Sequence, residues 1–297
     1  MSQSRRDLMH PQRSVTIFGF DSAWSDKARG AICALSYDAA GRATFHPPQR
    51  VSFQEAIDFV IEHSRGVAVS LIAIDQPSLV PNKEGSRPVD RVAAAQISFI
   101  GGGVQPANRS KVSMFGDNAP IWRFLAALEA QQDPLLARSA TSGLFVMEVF
   151  PALALAAFED RFAQRRGAPK YNPANRSKFR PADWKAVTRV TQNKARQFGL
   201  TALTDWAMEM GTLARPRKAD QDRLDAALCA LVGLYWRAGP AGASVMLGDL
   251  SSGYMITPLS DAIQPRLEAA AAQRGVAWLL VPELPSRSAL SPKPLLR

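Results

Sequence analysis

Asp21, Asp75 and Glu148 each close an apolar run, VTIFGFD, SLIAID and LFVME, and the later segment DQDRLDAALCAL places Asp222 and Asp225 three residues apart. Short runs rich in Val, Ile, Leu and Phe read as buried strands, and in sheets made of such strands ligands sit beyond the carboxyl ends. The three terminal carboxylates are therefore expected in one crevice. Two carboxylates about 4 Å apart repel by roughly 4 kcal/mol at an effective dielectric near 20, so a cluster persists only with cations or shared protons. Hard divalent ions such as Mg²⁺, which take oxygen ligands, suit that setting. In the helical segment Asp222 is also accounted for by the helix dipole, whereas Asp225 lies beside an apolar stripe of Leu224, Leu228, Leu231 and Tyr235. Other chemistries find no support. His10, His46 and His63 form no H-x-x-x-H pair, no G-x-S-x-G elbow exists, and Cys33 and Cys229 sit in apolar runs as reduced core thiols.

The elements that must carry these residues follow in order. A strand ending at Asp21 is followed by GAICALSYD and RATFHP as two hairpin strands, then by FQEAIDFVIEHS as an amphipathic helix leading into the strand VAVSLIAID. Residues 76–142 are a long Pro-, Gly- and Asn-rich insertion of lid-like character with one helix, APIWRFLAALEAQQ. GLFVMEVF forms a further strand, and PALALAAFEDRFAQ a helix with Pro151 in its first turn. Helices near Asp183 to Phe198 and Ala202 to Met210 follow, before KADQDRLDAALCALVGLYW, with Asp220 as its N-cap. The reading is an α/β chain with a mixed five-stranded sheet flanked by helices. It has a single domain over residues 14–281, a basic helical segment at about 159–215, and flexible ends at 1–13 and 282–297.

The composition, 46% apolar, suffices for a large core. The start lacks an apolar core for a secretion signal, and the longest apolar stretch is too short to span a bilayer, so a cytoplasmic location without membrane contact is expected. The net charge is +10, and the segment from Arg161 to Arg196 alone carries eleven Lys or Arg against Asp183. Phe162, Tyr171, Phe179 and Trp184 are interleaved with those charges, the mixture of a surface that follows phosphates and stacks on bases. Nucleic acid is the expected partner, against the alternative of an ordinary solvated helical face. PANRSK occurs twice, at Pro106 to Lys111 and Pro173 to Lys178, and both copies offer donors suited to phosphates. Asp90 in RPVDR, between Arg87 and Arg91, reads as an ion-pair hub.

The order of strands and carboxylates looks like the ribonuclease H-like fold. More narrowly, GFDSAW, AIDQPSLVPN, RPVDR, MEVFPALAL, KYNP and DQDRLDAALCAL resemble the domain of unknown function 429 family, predicted nucleases of that fold. The resemblance implies a two-metal phosphodiesterase in which Asp21 bridges two Mg²⁺ or Mn²⁺ ions. Asp75, Glu148 and Asp225 would complete the pocket, with Asp222 as a further ligand position. Lys170, Arg176, Lys178, Arg180 and Lys218 would then neutralise substrate phosphates. Two alternatives stay open: a nucleotide-binding phosphotransfer enzyme of actin-like relationship, and a non-catalytic module that binds nucleic acid or protein.

Overall fold

Strand β1 (Val15–Asp21), buried along its whole length, is the axis of the molecule. The computed structural model describes residues 13–282, so the flexible ends expected at 1–13 and 282–297 fall almost entirely outside it. On one side β1 pairs antiparallel with β2 (Gly30–Tyr37), which pairs antiparallel with β3 (Ala43–Val51). On the other side it runs parallel to β4 (Val69–Ile74), and β4 runs parallel to β5 (Gly143–Glu148), giving the order β3-β2-β1-β4-β5. The mixed five-stranded sheet is as expected. β3 runs past the expected RATFHP segment through Pro47 and Pro48, which an edge strand tolerates, and its register against β2 slips there.

Helix α1 (Phe53–Ser64) begins with a capping box in which Ser52 accepts from the Glu55 amide and Glu55 accepts from the Ser52 amide. The insertion at 76–142 holds four helices where one was expected: α2 (Pro88–Phe99), α3 (Val112–Phe115), α4 (Pro120–Leu128) and α5 (Pro134–Ser139). Helix α4 is no free lid, because Phe124 packs on Phe20 and Phe53 beneath one face of the sheet. Beyond β5 come α6 (Pro151–Phe158), α7 (Asp160–Ala163), α8 (Pro181–Gln197), α9 (Thr201–Thr212) and α10 (Lys218–Ala238). A second sheet, ordered β7-β6-β8, then forms from β6 (Ser244–Asp249), β7 (Gly253–Pro258) and β8 (Trp278–Leu280), with α11 (Gln264–Arg274) between β7 and β8. Among the described residues no helix is long and apolar enough to cross a membrane.

The opposite face of the main sheet is covered by α10, and the contact is made by small residues rather than by the leucine stripe. A Cβ added at Gly19 would collide with the Ala226 carbonyl and with Ala230, and one added at Gly233 would press on Ile17. Leu224 and Leu228 turn away into a separate cluster with Trp184 and Val187 under α8 and α9. Helix α10 is thus buried on nearly all sides, which the amphipathic expectation missed. This close approach fixes where the helix start lies relative to the strand ends. Gly19→Ala is therefore expected to cost about 3 kcal/mol, the upper end of overpacking penalties, read as a lowered urea midpoint with an unchanged m-value.

Candidate active site

Register decides which carboxylates meet. Phe20 lies level with Ile74 across the β1–β4 pair, and the Asp75 amide donates to the Phe20 carbonyl, so Asp21 and Asp75 continue the two strands side by side. By strand alternation they share the face of Gly19 and Ala73, the face on which α10 lies. Asp225 precedes Ala226, the residue seated on Gly19, and Asp222 is one helical turn earlier. Four of the five expected carboxylates therefore gather at one end of the sheet. Glu148 is level with Ile74, one residue out of step, and belongs by alternation to the other face.

Glu148 consequently has different company. Arg87, fully buried, donates to both of its oxygens at 2.7 and 2.6 Å, and the Ser78 amide donates at 3.3 Å. The same guanidinium donates to Asp90 Oδ1 and to the Leu79 carbonyl, so Asp90 is the ion-pair hub its sequence setting implied. Gly253 at φ 104° leaves the room Arg87 needs, since a Cβ there would lie 2.8 Å from its Cδ. The expected ligand Glu148 is thus occupied as a brace between β5 and the start of α2. Burial pushes its pKa up, and Arg87 opposes that shift.

Asp21 and Asp75 carry no such brace. Among the described residues no protein donor reaches either carboxylate. Burial first, and the charge of Asp225 second, hold both pKa values well above the ordinary range, with Asp75 adding to the shift of Asp21 and Glu148 to that of Asp75. Asp225 accepts from the Tyr171 hydroxyl at 2.6 Å and from Gln221 Nε2 at 2.9 Å, yet burial still pushes its pKa up to about 6. Lys218 pairs with Asp222. Burial works against the Lys218 charge, but Asp21, Asp222 and Asp225 outweigh it and raise the ammonium pKa.

Tyr171 was read as an aromatic among basic residues and as part of the KYNP motif, but was given no role in the site. Burial and the Asp225 charge raise its pKa well above that of a free phenol, which keeps its proton available to Asp225. It stands at the head of a loop closed by the Arg180 amide donating to the Lys170 carbonyl at 2.7 Å, so Arg176, Lys178 and Arg180 are exposed on the same loop. None of these three is in an ion pair with the described residues. Lys170 Nζ donates to the Gly101 carbonyl at 2.9 Å, tying this loop to the segment before the first PANRSK copy. Both copies form the same turn, with Ser110 donating to Asn108 Oδ1 and Ser177 to Asn175 Oδ1. Arg109 in the first copy is spent on Asp117 and on the Trp122 ring. Three of the four interleaved aromatics cannot stack on a partner, since Phe162, Tyr171 and Trp184 are buried in the core and anchor the segment to α10, while Phe179 is half-buried against the same cluster.

The donor set suits a hard divalent ion in kind, with oxygen ligands only and carboxylates that repel one another. Among the described residues, however, no three His, Cys, Asp or Glu side chains form a ready-made cation cage. His46 and His63 stand apart from these carboxylates, stacked on each other with ring centroids 4.2 Å apart between β3 and α1, and His10 lies outside the described residues.

No curated protein and no solved structure matches this chain. A family model described as protein of unknown function (DUF429) matches residues 19–247, a span that includes the end of β1, the carboxylates, Tyr171 and the whole of α10. The chain belongs to the DUF429 family.

Proposed function

We propose that the protein is a metal-dependent nuclease of the ribonuclease H-like kind, hydrolysing a phosphodiester at the carboxylates where β1 and β4 end under the start of α10. The observation that carries this reading is the pair of the buried Asp21 and the half-buried Asp75, which have no protein donor among the described residues and face Asp225. A protein that kept such a pair for stability alone would gain by losing it. Asp21, Asp75 and Asp225 would hold divalent Mg²⁺ or Mn²⁺, which when bound would acidify a water and offset phosphate charge. The chain's own groups do the rest. Tyr171 and Gln221 hold Asp225 in place by donating to its two oxygens. Lys218 places a cation beside Asp21, and Lys170, Arg176, Lys178 and Arg180 edge the approach with positive charge that suits a polynucleotide. Glu148 acts at one remove, holding Arg87 and the loop after Asp75.

Calorimetric titration of Mn²⁺ and Mg²⁺ into the wild type and an Asp21→Asn, Asp225→Asn variant, beside a panel of labelled DNA and RNA strands, tests the proposal. Divalent binding and strand cleavage are expected in the wild type and neither in the variant. Binding that survives both substitutions, or a wild type that neither binds ions nor cuts, would leave a non-catalytic module as the better account.

A further inference from the structure

A cavity of about 240 Å³ adjoins the carboxylates, and the reading above does not use it. Asp75 forms part of its wall, with Trp24, Val104, Gln105, Phe150 and Met255 around it. Its volume is below the ~300 Å³ at which pockets for drug-sized ligands begin, so it has room for one ring system and not for a base pair. Its charge points away from a phosphate. Arg87 also lines it, but that guanidinium is committed to Glu148, Asp90 and the Leu79 carbonyl. What remains is apolar and aromatic surface with the Asp75 carboxylate at its edge and one carboxamide, Gln105, whose side-chain hydrogen bond among the described residues is to the Met114 sulfur. That lining favours a flat, neutral group with polar edges.

Trp24 is held there at a cost in backbone conformation. Its φ is 59°, in the left-handed region that a bulky side chain rarely occupies, and its indole nitrogen donates to the Asp75 carbonyl at 2.8 Å while the ring packs edge-on against Phe115. The strain fixes an aromatic ring at the point where cavity and carboxylates meet. We infer that this cavity takes a single unpaired nucleobase, that of the nucleotide whose phosphate lies at Asp75. The substrate is then a single-stranded polynucleotide or a mononucleotide, and a duplex must unpair to enter. The inference rests on the nuclease reading for the phosphate, and on the cavity alone for the base.

Gly103 offers a clean test, because it lines the cavity with an ordinary φ and a Cβ added there meets nothing within 4 Å. Gly103→Leu should fill the space without straining the chain, and Val104→Phe serves as a second filling variant. Calorimetric titration in EDTA with AMP, UMP and ribose 5-phosphate reads the base contribution apart from any cleavage. The wild type is expected to bind AMP or UMP at least about tenfold more tightly than ribose 5-phosphate, and the filled variants to lose that margin at unchanged melting temperature. Equal affinity for all three ligands, or filled variants that bind AMP like the wild type, would overturn the inference even if the carboxylates prove to cut. A base-dependent margin in a protein that never cleaves would keep the pocket and remove the nuclease reading.

Discussion

Asp21→Asn is expected to abolish divalent-dependent cleavage, by at least ~10³-fold or about 4 kcal/mol of transition-state stabilisation, and at the same time to make the protein more stable. The two effects have one cause. Asp21 is buried, has no donor among the described residues and faces Asp225 and Asp75, so ionising it opposes the fold, and on the nuclease reading that charge serves a bound cation. The amide keeps the shape and removes the charge, for a gain of about 1–3 kcal/mol, or ~2–4 °C in melting temperature for each kcal/mol. The pH dependence has a definite sign. A carboxyl whose folded pKa is raised binds more protons folded than unfolded, so its contribution to stability is present at low pH and is lost as pH rises through the folded pKa. For the cluster that loss runs from the unfolded aspartate value near 3.9 upward through the folded Asp225 value of about 6. Glu55 and Asp249, each lowered to about 2 by hydrogen bonds, act in the opposite sense at lower pH. The difference between variant and wild type isolates the cluster. Urea midpoints at pH 5 and pH 8 should show the variant's advantage growing with pH, and Mg²⁺ at pH 8 should restore stability to the wild type only. An advantage independent of pH would mean that Asp21 ionises as readily in the folded protein as in the unfolded chain.

The parts legible in the sequence were those governed by local pattern. Apolar runs ending on a carboxylate located β1, β4 and β5, and the D-x-x-D spacing located the start of α10, because strand burial and helical periodicity are written into neighbouring residues. What a pattern of run ends cannot carry is register. Asp75 follows the last paired residue of β4, while Glu148 is itself level with Ile74, and that offset separates a free carboxylate from a braced one. Tyr171 was hidden for a related reason, since its role depends on a contact with Asp225 across 54 residues. The second sheet was missed although it has a local signal: SVMLGD and GYMITP flank a short Leu-Ser-Ser turn, and β6 pairs β7 in direct register from Asp249 to Ser244. Asp220 was placed one turn too early in the helix. It occupies the third helical position and accepts from the Arg217 amide at 2.8 Å, so it caps by reaching back instead of standing first.

Arg87→Met is expected to cost about 3–5 kcal/mol, the scale found when one member of a buried ion pair is removed. The loss is large because Arg87 is buried between two carboxylates and holds Glu148 with two hydrogen bonds, so the variant strands two charges where water cannot reach them. The stranded Glu148 would titrate higher in the folded state than it does now, because Arg87 no longer opposes the effect of burial. The deficit should therefore be greatest at neutral pH and shrink as pH falls through that raised value, which urea denaturation at pH 5 and pH 7.5 measures. Glu148→Gln then separates two roles for the acid at the end of β5. If Glu148 is a brace, the amide weakens the hold on Arg87 and lowers stability, while divalent affinity stays within about threefold of the wild type. If it is a ligand in its own right, divalent affinity falls with it, by an amount comparable to that for Asp75→Asn. The bidentate geometry favours the first outcome, because a carboxylate with both oxygens on a guanidinium must break that pair before it can serve a cation, and the break leaves Arg87 buried with Asp90 alone to compensate it.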